Sequence, residues 1–224
     1  MHRVIAIDGP SGSGKSSVSR RVGRQLGFVH LDSGALYRIL ARACLRQGVN
    51  PQDDTAVEAL AKSYHFDAQE QNGELVFLEN GACVPDDELR TPEVNGCVSY
   101  VAKVPPARTI VTDFLRSLRE RFDLITEGRD ITTVVFPDTP ARFYLTASAE
   151  ARALRRQKEE LEKGIATQTA EAVKASLLAR DKIDSTRACA PLHKADGVIE
   201  IDSSNLTLEQ VVDAVLNLLP TDWK

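Results

Sequence analysis

Gly9-Pro10-Ser11-Gly12-Ser13-Gly14-Lys15-Ser16 is the most chemically informative string in the chain, and Ser17 follows it directly. It satisfies the pattern of one glycine, four arbitrary residues, Gly-Lys and a hydroxyl residue. Its context is a short β-branched run at 4–7 before it and a helical pattern after it. Glycines at such a junction let backbone N–H groups turn inward round a phosphate, and the helix start adds a favourable dipole. Lys15 then reaches the β and γ oxygens of a nucleoside triphosphate, and the Ser16 hydroxyl suits a Mg²⁺ ligand. The bland alternative, a Gly/Ser turn matching by chance, does not account for the flanking strand and helix.

Three further strings gather polar groups at strand ends. Leu31-Asp32-Ser33-Gly34-Ala35-Leu36-Tyr37-Arg38 joins a second short strand to a helix. Ser33, Tyr37 and Arg38 then sit near that strand's carboxyl end, facing the phosphate loop. Arg38, one turn beyond Gly34, is placed for a second anion. Glu127-Gly128-Arg129-Asp130 follows a strand at 124–126. Arg and acid side by side at a strand end are costly unless paired or used. Arg180-Asp181-Lys182-Ile183-Asp184-Ser185-Thr186-Arg187 is expected to be a loop after a helix at 171–180. Its Arg and Asp residues suit a ribose and a polar base edge, although such a string is more often solvated. Arg152, Arg155 and Arg156 recur at i, i+3 and i+4, a cationic helix face that fits polyphosphate or plain solvent.

A nucleotide switch is disfavoured. No glycine here has an aspartate three positions before it, and His193-Lys194-Ala195-Asp196 only approximates a guanine-reading motif. A small-molecule kinase and a non-catalytic nucleotide-binding regulator both remain open on the residues alone.

The elements that must position these groups follow from periodicity. Strands are expected at 4–7, 29–31, 124–126, 143–145 and 198–201. Helices are expected at 15–26, 33–47, 55–63, 93–101, 105–120, 148–163 and 171–180. Thr207 with Gln210 forms a capping box for a closing helix ending before Pro220. Asn72-Gly73 and Asn80-Gly81 mark hairpin turns within 65–84, a small β insertion. Strands alternating with helices imply a parallel sheet with helices on both faces.

Composition sets the outer limits. At 224 residues, with 42% apolar and 27% charged residues, the chain suits one globular domain. No apolar run approaches the roughly 20 residues of a membrane span, and no basic start leads into an apolar signal segment. The net charge of −4 argues against general nucleic-acid binding. Of the 28 basic residues 19 are Arg, whose planar fork fits phosphate. Cys44, Cys83, Cys97 and Cys189 form no C-x-x-C pair, so neither zinc nor a disulfide framework is expected, and the compartment is read as a reducing cytoplasm.

Taken together, IDGPSGSGKSS at 7–17, LDSGALYR at 31–38, EGRD with VVFPD within 127–138, and RDKIDSTRACAPL at 180–192 resemble the bacterial-type cytidylate kinases of the nucleoside monophosphate kinase family. The resemblance covers nearly the whole chain. It implies a P-loop kinase with a central parallel five-stranded sheet covered by helices on both faces, a β-containing monophosphate-binding insertion and a helical lid. The core would comprise about 1–62, 104–150 and 170–224, the insertion about 63–103 and the lid about 151–169.

The resemblance also implies the site. Gly9, Pro10, Ser11, Gly12, Ser13, Gly14, Lys15, Ser16 and Ser17 would cradle ATP, with Mg²⁺ on Ser16. Arg38 and Arg129 would hold the CMP or dCMP phosphate. Ser33, Asp130 and Asp184 would contact its ribose, with Arg180 near the sugar and the transferring phosphate. Ser99, Arg108 and Arg187 would read cytosine, with Gly34 and Tyr37 lining the pocket. Lys15, Arg129, Arg180 and Asp130 would carry catalysis. Arg152, Arg155 and Arg156 would belong to a lid moving over 157–169. The protein would act as a monomer on small molecules, without nucleic acid or membrane. Two departures from the family pattern are Thr132, where relatives often have Gly, and Ile183, where some carry Arg.

Overall fold

The run Val-Ile-Ala-Ile-Asp is apolar on both faces, which only a strand covered on two sides can satisfy. In the structure, a computed structural model describing residues 2–79, 81–162 and 169–223, it forms β1 (Val4–Asp8), buried throughout. The glycine-rich loop leads into α1 (Lys15–Leu26), which ends at a left-handed Gly27. β2 (Val29–Asp32) runs into α2 (Ser33–Arg46), where the Asp32 side chain accepts from the Gly34 amide. Asp53 caps α3 (Asp54–Ser63) in the same manner.

A hairpin follows, β3 (Asp67–Gln71) and β4 (Glu74–Glu79), then the short β5 (Ala82–Cys83). Asn72 and Gly73 both take positive φ at its turn, as the sequence signature requires. Next come α4 (Asp86–Leu89), α5 (Pro92–Ala102) and α6 (Pro105–Leu118). β6 (Leu124–Gly128) gives way to a π-helical turn at Ile131–Val135 and then β7 (Ala141–Thr146). α7 (Ala149–Glu162) and α8 (Ala170–Thr186) pair beside the phosphate loop. β8 (Ile199–Asp202), α9 (Leu208–Leu218) with the expected Thr207–Gln210 capping box, and a 3₁₀ turn at Thr221–Trp223 complete the described chain.

The strand order is β3-β4-β2-β6-β1-β7-β8, with β5 on β4. β2, β6, β1, β7 and β8 form the expected five-stranded parallel sheet. The hairpin prolongs that same sheet: β4 joins β2 in parallel at His30↔Glu74, and β3 and β5 run antiparallel to β4. Alternation along β1 divides the core. Val4 and Ala6 pack with Leu36, Leu40, Val101 and Leu115 on one face. Ile5 and Ile7 pack with Val18, Val22, Phe143 and Val212 on the other. Both faces are thereby dry, and the polar ends of β1, β2 and β6 meet at one edge of the sheet.

One expectation needs correction. The string 180–187 is not a loop after a helix, since α8 continues to Thr186 and places Arg180, Asp181 and Asp184 on helical turns. Local propensity disfavours Asp, Ser and Thr there, but tertiary pairing of Asp181 and Asp184 outweighs it. α4, the π-helical turn and the 3₁₀ turn carry no periodic signal and were not foreseen.

Candidate active site

The phosphate loop depends on backbone shapes that only glycine supplies cheaply. Gly9 has φ +153°, and a Cβ there would stand 2.0 Å from the Leu145 carbonyl oxygen. Gly14, at φ 95°, occupies the N-cap of α1. Lys15 is buried, and its ammonium folds back on the loop, donating to the carbonyls of Gly9 at 2.9 Å and Pro10 at 2.8 Å. Burial, reinforced by Arg129, lowers its pKa to about 7, against the pull of Glu127 and Asp8. Ser16 is half-buried at the first turn of α1, whereas Ser17 faces solvent.

Asp8 ends β1 completely buried. Its carboxylate accepts from the amides of Ile131 (2.9 Å) and Thr132 (2.7 Å) and from Thr132 Oγ1 (2.6 Å). Burial still raises its pKa over these bonds. Thr132, the departure from the family pattern, thus adds a bond tying the turn after Arg129-Asp130 to the phosphate strand.

Across from the loop, cations crowd. Arg129 Nε donates to Asp184 at 2.9 Å. Arg38 donates to the Leu89 carbonyl at 3.2 Å and to Asn95 Oδ1 at 2.5 Å, both neutral groups. Buried Arg180 Nε has no partner among the described residues. Burial together with neighbouring Arg180 and Arg90 lowers Arg38 to about 9, and burial with Arg129 lowers Arg180 to about 10. Such depression marks a place where added negative charge is strongly favoured. Arg90, which lacks any motif, closes the outer side through Asp32 at 3.0 Å and Asp86 at 2.7 Å.

Further along this edge, Arg108 pairs with Asp130 and donates to the Ala102 carbonyl at 2.8 Å. Its guanidinium lies 5.1 Å from the Tyr37 ring centre. Arg187 stands 3.8 Å from Asp130 and 3.9 Å from Asp184, and its buried Nη2 makes no hydrogen bond among the described residues. Ser99 is buried on α5, and Ser33 Oγ donates to the Glu127 carbonyl at 2.6 Å. Gly34 serves locally, its amide meeting the Asp32 cap.

Two of the three α7 arginines reach the phosphate loop. Arg152 donates to the Ser11 carbonyl at 2.9 Å and to Asp181, whose other oxygen accepts from the Ser11 amide at 2.9 Å. Arg155 reaches the Ser13 carbonyl at 3.2 Å and Ser203 Oγ at 2.9 Å. Arg156 instead pairs along its own helix with Glu159 and Glu160. Of the expected moving stretch, residues 163–168 lie outside the described residues. Asp8, Arg90, Asn95 and Asp181 were not singled out as site residues. Only Asp8 and Asp181 had a signal, adjacency to Gly9 and to Arg180.

The sequence is similar over nearly its whole length to proteins named cytidylate kinase. Residues 5–221 match the family described as Cytidylate kinase. A cytidylate kinase of Oceanobacillus iheyensis is 37% identical over 215 residues, covering 96% of this chain and 92% of that one. One from Desulforamulus reducens is 40% identical over 215 residues, covering 96% of each. In fold, an uncharacterised protein from Eubacterium ventriosum aligns over 97% of both chains with a TM-score of 0.56 at 12% identity. The match begins inside the phosphate strand and ends in the last turn, spanning every side chain of the site described above: the chain belongs to the cytidylate kinase family.

Proposed function

We propose that the protein transfers the γ-phosphoryl group of ATP to CMP or dCMP, giving ADP and CDP or dCDP. The observation that carries this reading is the crowding of Arg38, Arg129 and Arg180 near Lys15, where only Arg129 is directly paired with a carboxylate among the described residues and the Arg180 Nε has no hydrogen bond there. It offers one polyanion a glycine-rich loop and a second anion an arginine cluster. A phosphate monoester has a second pKa of about 6, so its oxygen is already an anionic nucleophile at neutral pH. No general base is required; the work is to align two anions and stabilise charge on the moving group.

Lys15 would leave the Gly9 and Pro10 carbonyls for the β and γ oxygens of ATP. Arg38, Arg129 and Arg180 would hold the acceptor phosphate, and Asp184 the sugar, with Ser33 beside it. Arg108, Arg187 and Ser99 would face the base. Asp130, now bound to Arg108, would reorganise toward the ribose when the base enters. The helix pair α7–α8, with Arg152, Arg155 and Arg156, would close over ATP and exclude water as a competing acceptor. The insertion at about 63–103 would close on the monophosphate side.

The residues also fit Mg²⁺ arriving with the nucleotide. The described residues contain no cluster of three His, Cys, Asp or Glu side chains able to cage a metal. Mg²⁺ needs none, since it keeps waters and takes phosphate oxygens with one or two protein oxygens. The Ser16 hydroxyl would supply one, and the ion when bound would neutralise charge on the β and γ phosphates. No described helix is long and apolar enough to cross a membrane; action in the cytoplasm as a monomer completes the reading. ADP release coupled to a reporter, measured over a panel of nucleoside monophosphates, tests it: CMP and dCMP are expected to lead, and equal efficiency on AMP overturns it.

A further inference from the structure

Beneath α1 lies a buried polar row that the reaction as described does not use. His30 on β2 and Glu127 on β6 are both buried. His30 Nε2 and Glu127 Oε1 stand 3.7 Å apart, and neither has a hydrogen bond among the described residues. On its other side, His30 Nδ1 lies 3.8 Å from Glu74 Oε2 of β4. Register explains the grouping. His30 is paired with Glu74, and Glu127 is paired with Asp32, two residues along β2, so the three side chains share one face. Arg20 of α1 donates to Glu74 at 3.0 Å. The row Arg20, Glu74, His30, Glu127 thus runs from the surface to the phosphate loop, where Glu127 acts on Lys15.

An imidazole between two carboxylates is satisfied when both its nitrogens carry protons. A neutral ring must turn a lone pair toward one of them. The charged groups facing His30 are Glu127 from β6, Glu74 from β4 and Arg20 from α1, with Asp32 farther along its own strand. Burial alone pushes the ring's pKa down; the two glutamates outweigh burial and Arg20, and the net direction is upward.

We propose that His30 is a positioning residue for the triphosphate: its charge pins the Glu127 carboxylate and cancels it beside the phosphate loop. The incoming polyanion then meets no uncompensated negative charge at the carboxyl end of β6. The proposal rests on the ATP reading given above. Loss of the His30 proton, by pH or substitution, frees Glu127 to compete for Lys15 and to repel ATP. Glu127 also acts on Arg129 and Arg90, so the acceptor side feels the same change.

The test is ATP affinity by titration calorimetry from pH 6 to 9.5 for the wild type and His30→Gln, with CMP affinity and kcat alongside. At pH 6.5 the variant should bind ATP about three- to tenfold more weakly, the size of one screened charge at close range. The change in kcat should be smaller than that in ATP affinity. Wild-type affinity should fall with rising pH in two steps, from Lys15 and from His30, and only the second should vanish in His30→Gln. Superimposable pH profiles, or equal ATP affinity at pH 6.5, overturn the proposal. Glu74→Gln, altered at the outer end of the row, covers a His30 variant that does not fold. It should move the His30 step to lower pH, since a carboxylate that favours the charged ring is removed, and an unmoved step overturns the proposal. Failure of the wild type to bind ATP overturns the functional reading as well; intact ATP binding with superimposable profiles overturns the role of His30 alone.

Discussion

Lys15 shows how a ligand-free site stores its chemistry. Its ammonium rests on the Gly9 and Pro10 carbonyls at a pKa of about 7, so much of it is neutral above neutral pH. A bound triphosphate favours the charged form and raises that pKa. ATP binding at pH 8 is therefore expected to take up protons, and at pH 5.5, where the amine is already charged, to take up none through this group. Calorimetry in two buffers of different ionisation enthalpy measures the uptake, and an equal uptake in Lys15→Ala would contradict the assignment. Lys15→Ala should also lose about 10²-fold or more in turnover, the scale of a transition-state charge clamp, while keeping its circular dichroism. Asp184 holds Arg129 at 2.9 Å, and the proposed reading adds a second duty toward the acceptor sugar. Asp184→Ala should thus raise the CMP KM and lower kcat together, with ATP affinity nearly unchanged. A KM effect alone would limit it to the sugar.

Between elements, two connections decide how the site is held. The π-helical turn at Ile131–Val135 hangs from Asp8 by three hydrogen bonds, one of them from the Thr132 hydroxyl. Thr132→Val keeps the shape and removes that donor from a buried carboxylate. It should cost about 2 kcal/mol in a urea melt and lower kcat, because Arg129 and Asp130 immediately precede the turn. The second connection is α7 with α8, packed through Ala153, Val173 and Leu177. Arg152 and Arg155 already fasten the first half of α7 to the phosphate loop. Movement is therefore expected in its distal half: amides from 157 to 162 should exchange fast in the free protein and slow when ATP and CMP analogues bind together. Equal exchange with and without ligands would make α7 a fixed surface helix.

Over the whole molecule, the proposed base site depends on distant segments meeting. Arg108 from α6, Arg187 from the end of α8 and Tyr37 from α2 converge at one end of the cleft. Arginine donors suit O2 and N3 of cytosine, both acceptors. Uracil carries a proton on N3 and would face a donor with a donor, a buried mismatch of about 1–3 kcal/mol. CMP and dCMP should therefore exceed UMP roughly ten- to hundredfold in kcat/KM, with AMP and GMP poor, their purines being larger than the cytosine that the site is proposed to read. Coupled ADP release across the acceptor panel measures this. Comparable efficiency for UMP and CMP would remove the arginines from base reading.

The phosphate loop was fully legible in the chain because its requirements are local. A strand, three glycines, a lysine and a helix start are contiguous, and no distant residue is needed to place them. The parallel sheet was legible for the same reason, through apolar runs such as Val4–Asp8 separated by helical periodicity. Arg38, Arg129 and Asp184 could be named from their strings, but not their juxtaposition. The string from Arg180 to Arg187 reads as a solvated loop from its short-spaced charges before Ala190-Pro191, whereas the pairings that hold it in α8 come from Ser11, Arg129 and Arg152. Arg90, the Thr132 bond to Asp8, and the His30–Glu127 contact had no sequence signal at all. Each depends on charge and burial produced where β1, β2 and β6 end side by side, and residues far apart along the chain meet there only once the sheet has formed.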